Sequence, residues 1–207
     1  MTQPNQRIVH WLVSVACAFV LAGAAGACSS DGDPNASTLA LRLTGTGALP
    51  EGGEALALTV QSVSVHVAAS GSELLAANDT SLDADGHWHT LQVGMNASLT
   101  GAGTAVNLGE LSLPAGAVNQ IRVNLAPVAG LVAKPAGCTL DLSAYAATGW
   151  RITKPFKPFA TYRGVPHVAT LGLDLSAALV PQGNCYQLQP ALGIASWQTS
   201  GHFLAVE

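Results

Sequence analysis

Residues 106–125 place the strongest constraint on the fold, because they hold two short runs in which apolar and polar residues alternate. Alternation with a period of two is typical of β-strands that bury one face. The apolar positions are Leu108, Leu111 and Leu113 in the first run and Val118, Ile121, Val123 and Leu125 in the second. Pro114-Ala115-Gly116 separates the runs and has turn-forming chemistry. The stretch predicts a β-hairpin whose outward residues, Asn119, Arg122 and Asn124, form a solvated face.

Other short segments show the same period, and these are residues 38–43, 56–67, 87–93, 168–175 and 185–194. The apolar parity changes inside the second of them, which predicts a β-bulge near Gln61-Ser62. Residues 126–150 lose the period, so they predict a long loop with one minor strand at residues 139–142.

Prolines mark the remaining breaks. Pro155 and Pro158 predict that residues 150–159 lie at a sheet edge or cross between sheets, because proline cannot donate a ladder hydrogen bond. Pro190 predicts an interruption of the last strand. No segment sustains a helical period. The chain therefore predicts an all-β fold, an antiparallel β-sandwich or barrel, in one domain over residues 38–207.

The amino terminus reads as an export signal over residues 1–27. Arg7 supplies a positive charge, residues 11–21 are apolar, and residues 22–27 are all small. The alternative is a retained membrane-spanning helix, for which the uncharged run is marginal against the ~20 residues that a bilayer needs. Small residues before the cut favour a cleaved signal peptide.

Cys28 extends this interpretation. Residues 21–28, Leu-Ala-Gly-Ala-Ala-Gly-Ala-Cys, resemble a bacterial lipobox, although Ala25 stands where a lipobox usually has leucine. The resemblance implies that Cys28 is acylated and anchors the protein in the lipid bilayer, with residues 28–37 as a flexible tether. Secretion with a free Cys28 is the alternative. Ser29 follows the cysteine, and by resemblance to enterobacterial sorting rules this favours the outer membrane, with the domain facing the periplasm or the exterior.

Two cysteines remain in the folded region once Cys17 leaves with the signal and Cys28 takes the lipid. In an exported domain, Cys138 and Cys185 are expected to form one disulfide. Metal ligation is the alternative, but neither residue has a CxxC or HxxxH partner.

The charge balance excludes some partners. Charged residues make up 10% of the chain and the formal net charge is −4, without a basic stripe or an acidic tail. We therefore expect no nucleic-acid binding and no attraction to an anionic membrane surface.

The residues that most resemble a site are His87, Trp88 and His89, which follow Asp83 and Asp85. A metal site would need a further ligand, for which His66 is the candidate. The Asp-x-Asp-Gly run lacks the other ligands of a calcium loop and is better explained as a turn. Trp88 could stack on a sugar ring, or it could pack on a sheet as most tryptophans of β proteins do.

Catalytic patterns are absent from the sequence. It has no Gly-x-Ser-x-Gly elbow, no dinucleotide or phosphate-loop fingerprint and no carboxylate pair with suggestive spacing. We expect a protein that is not an enzyme, holds no cofactor or metal and has no catalytic residue. The alternative is an extracytoplasmic metal-binding protein or metal-dependent hydrolase that uses His66, His87 and His89.

Several further motifs occur in a fixed order, at residues 60–66, 86–91, 106–108, 113–116, 120–123, 152–156 and 185–192. Their order and spacing resemble one bacterial lipoprotein family, catalogued as domain of unknown function 4382, and the likeness covers most of the chain from Leu39 to Ile194. It implies an exported, often lipid-anchored β-sandwich of immunoglobulin-like or transthyretin-like character, and it carries no catalytic residues. The family usually has an aspartate in its first turn, where this chain has Thr44-Gly45-Thr46-Gly47. The expected function is binding or scaffolding in the cell envelope, with a glycan or an envelope protein as partner.

Overall fold

The computed structural model describes residues 36–68, 86–133, 137–145, 148–152, 157–199 and 202–205. Strands dominate these residues: β1 (Ser37–Thr46), β2 (Gly53–Ala68), β3 (Gly86–Leu99), β4 (Ala105–Leu113), β5 (Gly116–Leu125), β6 (Val128–Ala133), β7 (Cys138–Asp141), β8 (Trp150–Ile152), β9 (Phe159–Thr161), β10 (Pro166–Asp174), β11 (Leu179–Gln182), β12 (Cys185–Leu188), β13 (Leu192–Thr199) and β14 (His202–Ala205). A short helix α1 spans Leu175–Ala178, and a 3-10 turn spans Ser143–Tyr145. No helix in the described ranges is long and apolar enough to cross a bilayer. The predicted signal peptide, Cys28, the Asp83 and Asp85 turn and all but the end of the tether lie outside these residues.

Two sheets form the domain. The first has the strand order β14-β13-β10-β1-β4, and the second has the order β7-β6-β2-β5-β8, with β3 beside β2 and β9 beside β5. A separate ribbon consists of β11 and β12. The predicted all-β antiparallel sandwich is confirmed, with one exception: β1 and β10 pair in parallel.

The core lies between the two sheets because alternate residues of the central strands are apolar. Leu39, Leu41 and Leu43 of β1 are buried. Across from them, β2 buries Leu56, Leu58 and Val60 before position 61 and Val63, Val65 and Val67 after it. The pairings of β2 with both β3 and β5 shift register between Val60 and Ser62, which confirms the predicted bulge.

The predicted hairpin at residues 106–125 is wrong, although both of its strands exist. β4 pairs with β1 in the first sheet, whereas β5 pairs with β2 in the second. The chain therefore crosses from one sheet to the other at Pro114-Ala115, so the apolar faces of the two strands belong to different sheets. Thr161 fixes the crossing, because its hydroxyl donates to the carbonyl oxygen of Pro114 at 2.9 Å. Alternation reports a buried face in either arrangement, which is why it could not separate a hairpin from a crossing.

Gly116 is required at this crossing because the backbone passes close to β2. A Cβ at Gly116 would lie 2.6 Å from the carbonyl oxygen of Ala68 and 2.7 Å from Cγ1 of Val67. We expect Gly116→Ala to lower the free energy of unfolding by roughly 1–3 kcal/mol, as overpacking does elsewhere. Gly130 in β6 is the matched control, since a Cβ there meets nothing within 4 Å. Urea unfolding should separate the two variants, and equal stabilities would contradict this account of the crossing.

The predictions for the proline-marked segments are confirmed, and the prediction of a loop over residues 126–150 is confirmed only in part. β8 and β9 lie on the free side of β5 at the sheet edge, as the prolines indicated, and β12 and β13 are separate strands on either side of Pro190. The loop expected over residues 126–150 is wrong in its first part, since β6 pairs with β2 and β7 there. Val128 and Val132 are exposed while Leu131 is buried, so β6 is apolar on both faces and its period is hidden.

Cys138 and Cys185 form a disulfide, which confirms the predicted pair. Their Cα atoms are 5.9 Å apart, within the usual range for a disulfide. The bond joins β7 at the edge of the second sheet to β12 of the ribbon. It therefore ties together two elements that share no strand pairing.

Candidate functional site

A polar stripe runs along β2 on the side opposite the core valines. Ser62, Ser64 and His66 alternate with Val63, Val65 and Val67, so they point to the outer face of the second sheet. All three are nonetheless buried, and His66 is 0% exposed. Buried polar groups need hydrogen-bond partners, so the neighbouring strands must supply them.

β3 and β5 supply partners for the two serines. Asn124 of β5 donates its amide N–H to the hydroxyl oxygen of Ser62 at 2.8 Å. The hydroxyls of Ser64 and Thr90 share a hydrogen bond of 2.8 Å. Thr90 lies directly opposite Ser64 in the register of β2 and β3. The stripe therefore consists of side-chain pairs that the strand pairing sets in place.

His66 pairs with Asn119 across a second irregularity. The register of β2 and β5 shifts between His66 and Val67, and Asn119 is the residue of β5 left over at that shift. Nδ1 of His66 lies 2.6 Å from Oδ1 of Asn119. Since an amide oxygen only accepts, Nδ1 carries the proton in this pairing and Nε2 presents its lone pair. Among the described residues, Nε2 of His66 and Nδ2 of Asn119 have no further partner.

Trp88 covers this pair from β3. It lies opposite His66 in the strand register, with 5.0 Å between the two ring centroids. Arg122 of β5 places its guanidinium carbon 4.5 Å from the centroid of the Trp88 ring, a cation–π contact. Gly86 admits the imidazole, because a Cβ there would lie 2.6 Å from Cε1 of His66. Trp88 thus packs against an imidazole and a guanidinium while remaining partly accessible to solvent.

The three histidines of the metal hypothesis do not come together. His87 and His89 lie opposite Val67 and Val65 in the strand register, on the core side of the sheet, whereas His66 faces the outer side with Trp88. The described part of the chain contains no group of three His, Cys, Asp or Glu side chains that could hold a metal ion. The proposed three-histidine ligand set is therefore wrong, because neighbouring strand residues alternate between faces.

The pKa values of two histidines are lowered from the usual value of an imidazole. Burial lowers the pKa of His89, and the positive charges of His87 and His66 when protonated lower it further. Burial also lowers the pKa of His167. The ring of His167 accepts from the backbone N–H of Tyr162 at Nε2 and lies 2.9 Å from the hydroxyl of Thr199 at Nδ1. Protonation would remove the acceptor at Nε2.

These shifts predict a pH dependence of stability. The pKa values of His89 and His167 are lowered from 6.5 in the folded state, so the unfolded chain takes up protons first as the pH falls. The folded state therefore loses stability as the pH falls below about 6.5, because the unfolded chain then binds more protons than the folded one. Urea unfolding across this range should show the slope in the wild type and a shallower slope in His89→Gln/His167→Gln. Identical slopes would contradict the assignment.

The match to known families decides what the chain is. A sequence model of the family described as domain of unknown function (DUF4382) matches residues 36–190. The chain belongs to the DUF4382 family. The resemblance drawn from the motifs is therefore confirmed. The matched residues run from the start of β1 to just beyond β12, so the DUF4382 match includes the polar stripe and both disulfide cysteines.

No curated protein matches the chain. Two solved structures are similar to it, and both are proposed cell adhesion proteins. The one from Bacteroides uniformis is 11% identical, with a TM-score of 0.27, and the match covers 80% of this chain and 50% of that one. The one from Bacteroides eggerthii is 12% identical, with a TM-score of 0.27, and the match covers 82% and 55%. The DUF4382 chain thus spans about half the length of these structures.

Sequence reasoning missed the β5 side of the stripe. Asn119, Arg122 and Asn124 were expected to form a solvated face, yet Asn119 is 7% exposed and all three contact side chains of β2 or β3. The available signal was that polar residues alternate in step in two segments, at 62, 64 and 66 and at 120, 122 and 124. Its meaning depended on β5 pairing with β2, which the alternation of residues within each segment does not reveal.

Proposed function

We propose that this DUF4382 protein is a non-enzymatic, lipid-anchored protein of the cell envelope whose sandwich binds or scaffolds a partner. The binding surface is the outer face of the second sheet, made of the polar stripe of β2 with its partners on β3 and β5. The observation that carries this proposal is the ordering of that face: Ser62, Ser64 and His66 are each held by a side chain of a neighbouring strand.

An ordered polar face suits recognition. Side chains that are fixed before binding lose little conformational entropy when a partner arrives. Trp88 and Arg122 are of the residue types that contribute most to binding energy at interfaces, and they already contact each other. Thr90 and Gln92 on the same face of β3 are exposed. A partner would therefore contact the accessible side chains of Trp88, Thr90 and Gln92, and the buried paired groups beneath them would hold that surface in place.

The same pairing favours binding over catalysis. A serine or threonine nucleophile needs a base within hydrogen-bond distance. Here the hydroxyls of Ser64 and Thr90 bond to each other. The histidine of the same stripe, His66, uses one ring nitrogen on Asn119 and is fully buried.

Anchoring follows from the sequence before the domain. The lipobox-like residues 21–28 end eight residues before Ala36, where the described domain begins, so Cys28 would hold the sandwich close to a membrane. Radiolabelled palmitate should enter the wild type and not Cys28→Ala when both are expressed in bacteria. Equal labelling of the two would end the lipoprotein proposal.

The binding face is tested by crosslinking in intact cells. A photoreactive amino acid placed at Thr90 should capture a partner, while the same group at Arg42, an exposed position on β1 of the first sheet, should not. Equal capture at both positions would contradict the assignment of the face. If the partner is a glycan, polysaccharide in a native gel should retard the wild type and not Trp88→Ala.

A further inference from the structure

Half of the positive charge of the chain lies in one short segment. Four of the eight Lys and Arg residues fall within residues 151–163, and residues 142–173 contain no Asp or Glu. The chain as a whole has a net charge of −4. The segment is therefore a local exception to the charge of the protein.

The two strands of this segment, β8 and β9, lie along a single edge of the second sheet. β8 pairs with residues 121–123 of β5, and β9 pairs with residues 116–118 of the same strand. Arg151, Lys157 and Arg163 are exposed along that edge, and none of them makes an ion pair with another described residue. We call these three residues the basic strip. The overall net charge of the chain, from which no attraction to an anionic membrane was expected, does not show this local cluster.

One end of the basic strip lies where the tether joins the domain. The backbone N–H of Gly164, next to Arg163, donates to the carbonyl oxygen of Ala36 at 3.3 Å. Eight residue steps separate Cys28 from Ala36, which limits their distance to roughly 29 Å even when the chain is fully extended. An acyl group on Cys28 would therefore keep Arg163 near the membrane surface.

Tyr162 adds an aromatic group at the same place. It is 56% exposed, one of the few large apolar side chains that the described domain leaves to solvent. Tyrosine is enriched at the level of lipid head groups, where its ring meets the apolar boundary and its hydroxyl stays hydrated. Arginine beside it can donate bidentate hydrogen bonds to phosphate.

We propose that the basic strip and Tyr162 bind the anionic lipid head groups of the membrane that carries Cys28. This inference rests on the proposed anchoring for its location and on the exposed charges for its chemistry. The edge formed by β8 and β9 would then face the bilayer.

Vesicle binding by a chain that cannot be acylated tests the proposal independently of the lipid anchor. The full chain carrying Cys28→Ser is mixed with vesicles of phosphatidylcholine alone and with vesicles that also contain phosphatidylglycerol. The signal segment is present in every sample, so differences between variants report the strip. We expect tighter binding to the anionic vesicles, reduced about fivefold for each strip charge removed in Arg151→Gln, Lys157→Gln and Arg163→Gln. Arg42→Gln removes an exposed charge from the first sheet and should leave binding unchanged.

Three results would overturn the proposal. The first is equal binding of the parent chain to both kinds of vesicle, and the second is an anionic preference that survives loss of all three strip charges. The third is strip-dependent binding to a soluble polyanion such as heparin with none to vesicles, which would assign the strip to a polysaccharide. Because these variants lack Cys28, palmitate labelling can fail while the vesicle preference stands, and the reverse, so the two proposals fail separately.

Discussion

Trp197→Ala is expected to lower the free energy of unfolding by about 3–5 kcal/mol, the usual cost of removing a large buried aromatic side chain. Trp197 is 1% exposed and belongs to β13 of the first sheet. Its ring stacks on Phe159 of β9 in the second sheet, with centroids 4.6 Å apart and planes 4° from parallel. The ring centroid of His167, on the neighbouring strand β10, lies 5.6 Å from that of Trp197. The stack thus joins the two sheets at the side of the sandwich where β9 forms the edge.

Urea unfolding of purified variants measures this effect. Trp197→Phe should recover part of the loss, because a smaller aromatic ring can still contact Phe159. Tyr162→Ala serves as the control, since Tyr162 is an exposed aromatic residue of the same region and should change stability little. A loss below about 1 kcal/mol in Trp197→Ala, within the range of an ordinary surface substitution, would show that the stack does not hold the sheets together.

Removing the disulfide is expected to cost about 4 kcal/mol in the chain-entropy model, since the bond closes a loop with a sequence separation of 47. The double variant Cys138→Ser/Cys185→Ser should show this loss in urea unfolding. The ribbon of β11 and β12 should loosen most, because the bond is its covalent link to β7. Hydrogen exchange of the β12 amides would report that local effect.

Reductant provides the matched control. Dithiothreitol should destabilise the wild type by the same amount and leave the double variant unchanged, because only the wild type has a bond to reduce. Equal stability of the wild type and the double variant under oxidising conditions would contradict the structural role assigned to the bond.

The sequence determined the strands better than their pairing. Leu39, Leu41 and Leu43 predicted β1 because a strand with one buried face needs that period. The same period at residues 106–125 predicted two real strands and the wrong relation between them. Whether Pro114-Ala115 turns the chain back or carries it to the other sheet depends on distant contacts, such as the Thr161 hydroxyl on Pro114 and the closeness of Gly116 to Ala68.

The candidate site was predictable only in its residues. Trp88 and its flanking histidines stood out in the sequence, but the strand register places Trp88 on one face of the sheet and the two histidines on the other. Trp88 contacts His66 and Arg122 instead. Asn119 could not be found in advance, because a register shift in β5 brings it to His66. The charges of the basic strip were visible as a cluster in residues 151–163, but the sequence did not show that β8 and β9 both lie along the free side of β5.

The proposed function has two parts, a lipid anchor at Cys28 and a binding face on the outer side of the second sheet. The proposed location of the protein depends on the anchor. The most direct measurement is the intact mass of the mature protein, extracted with detergent from the membranes of cells that express the full chain. The account predicts a polypeptide that begins at Cys28 and carries a diacylglyceryl group on that residue. An unmodified polypeptide in the soluble fraction, or one that retains residues 1–27, would contradict it.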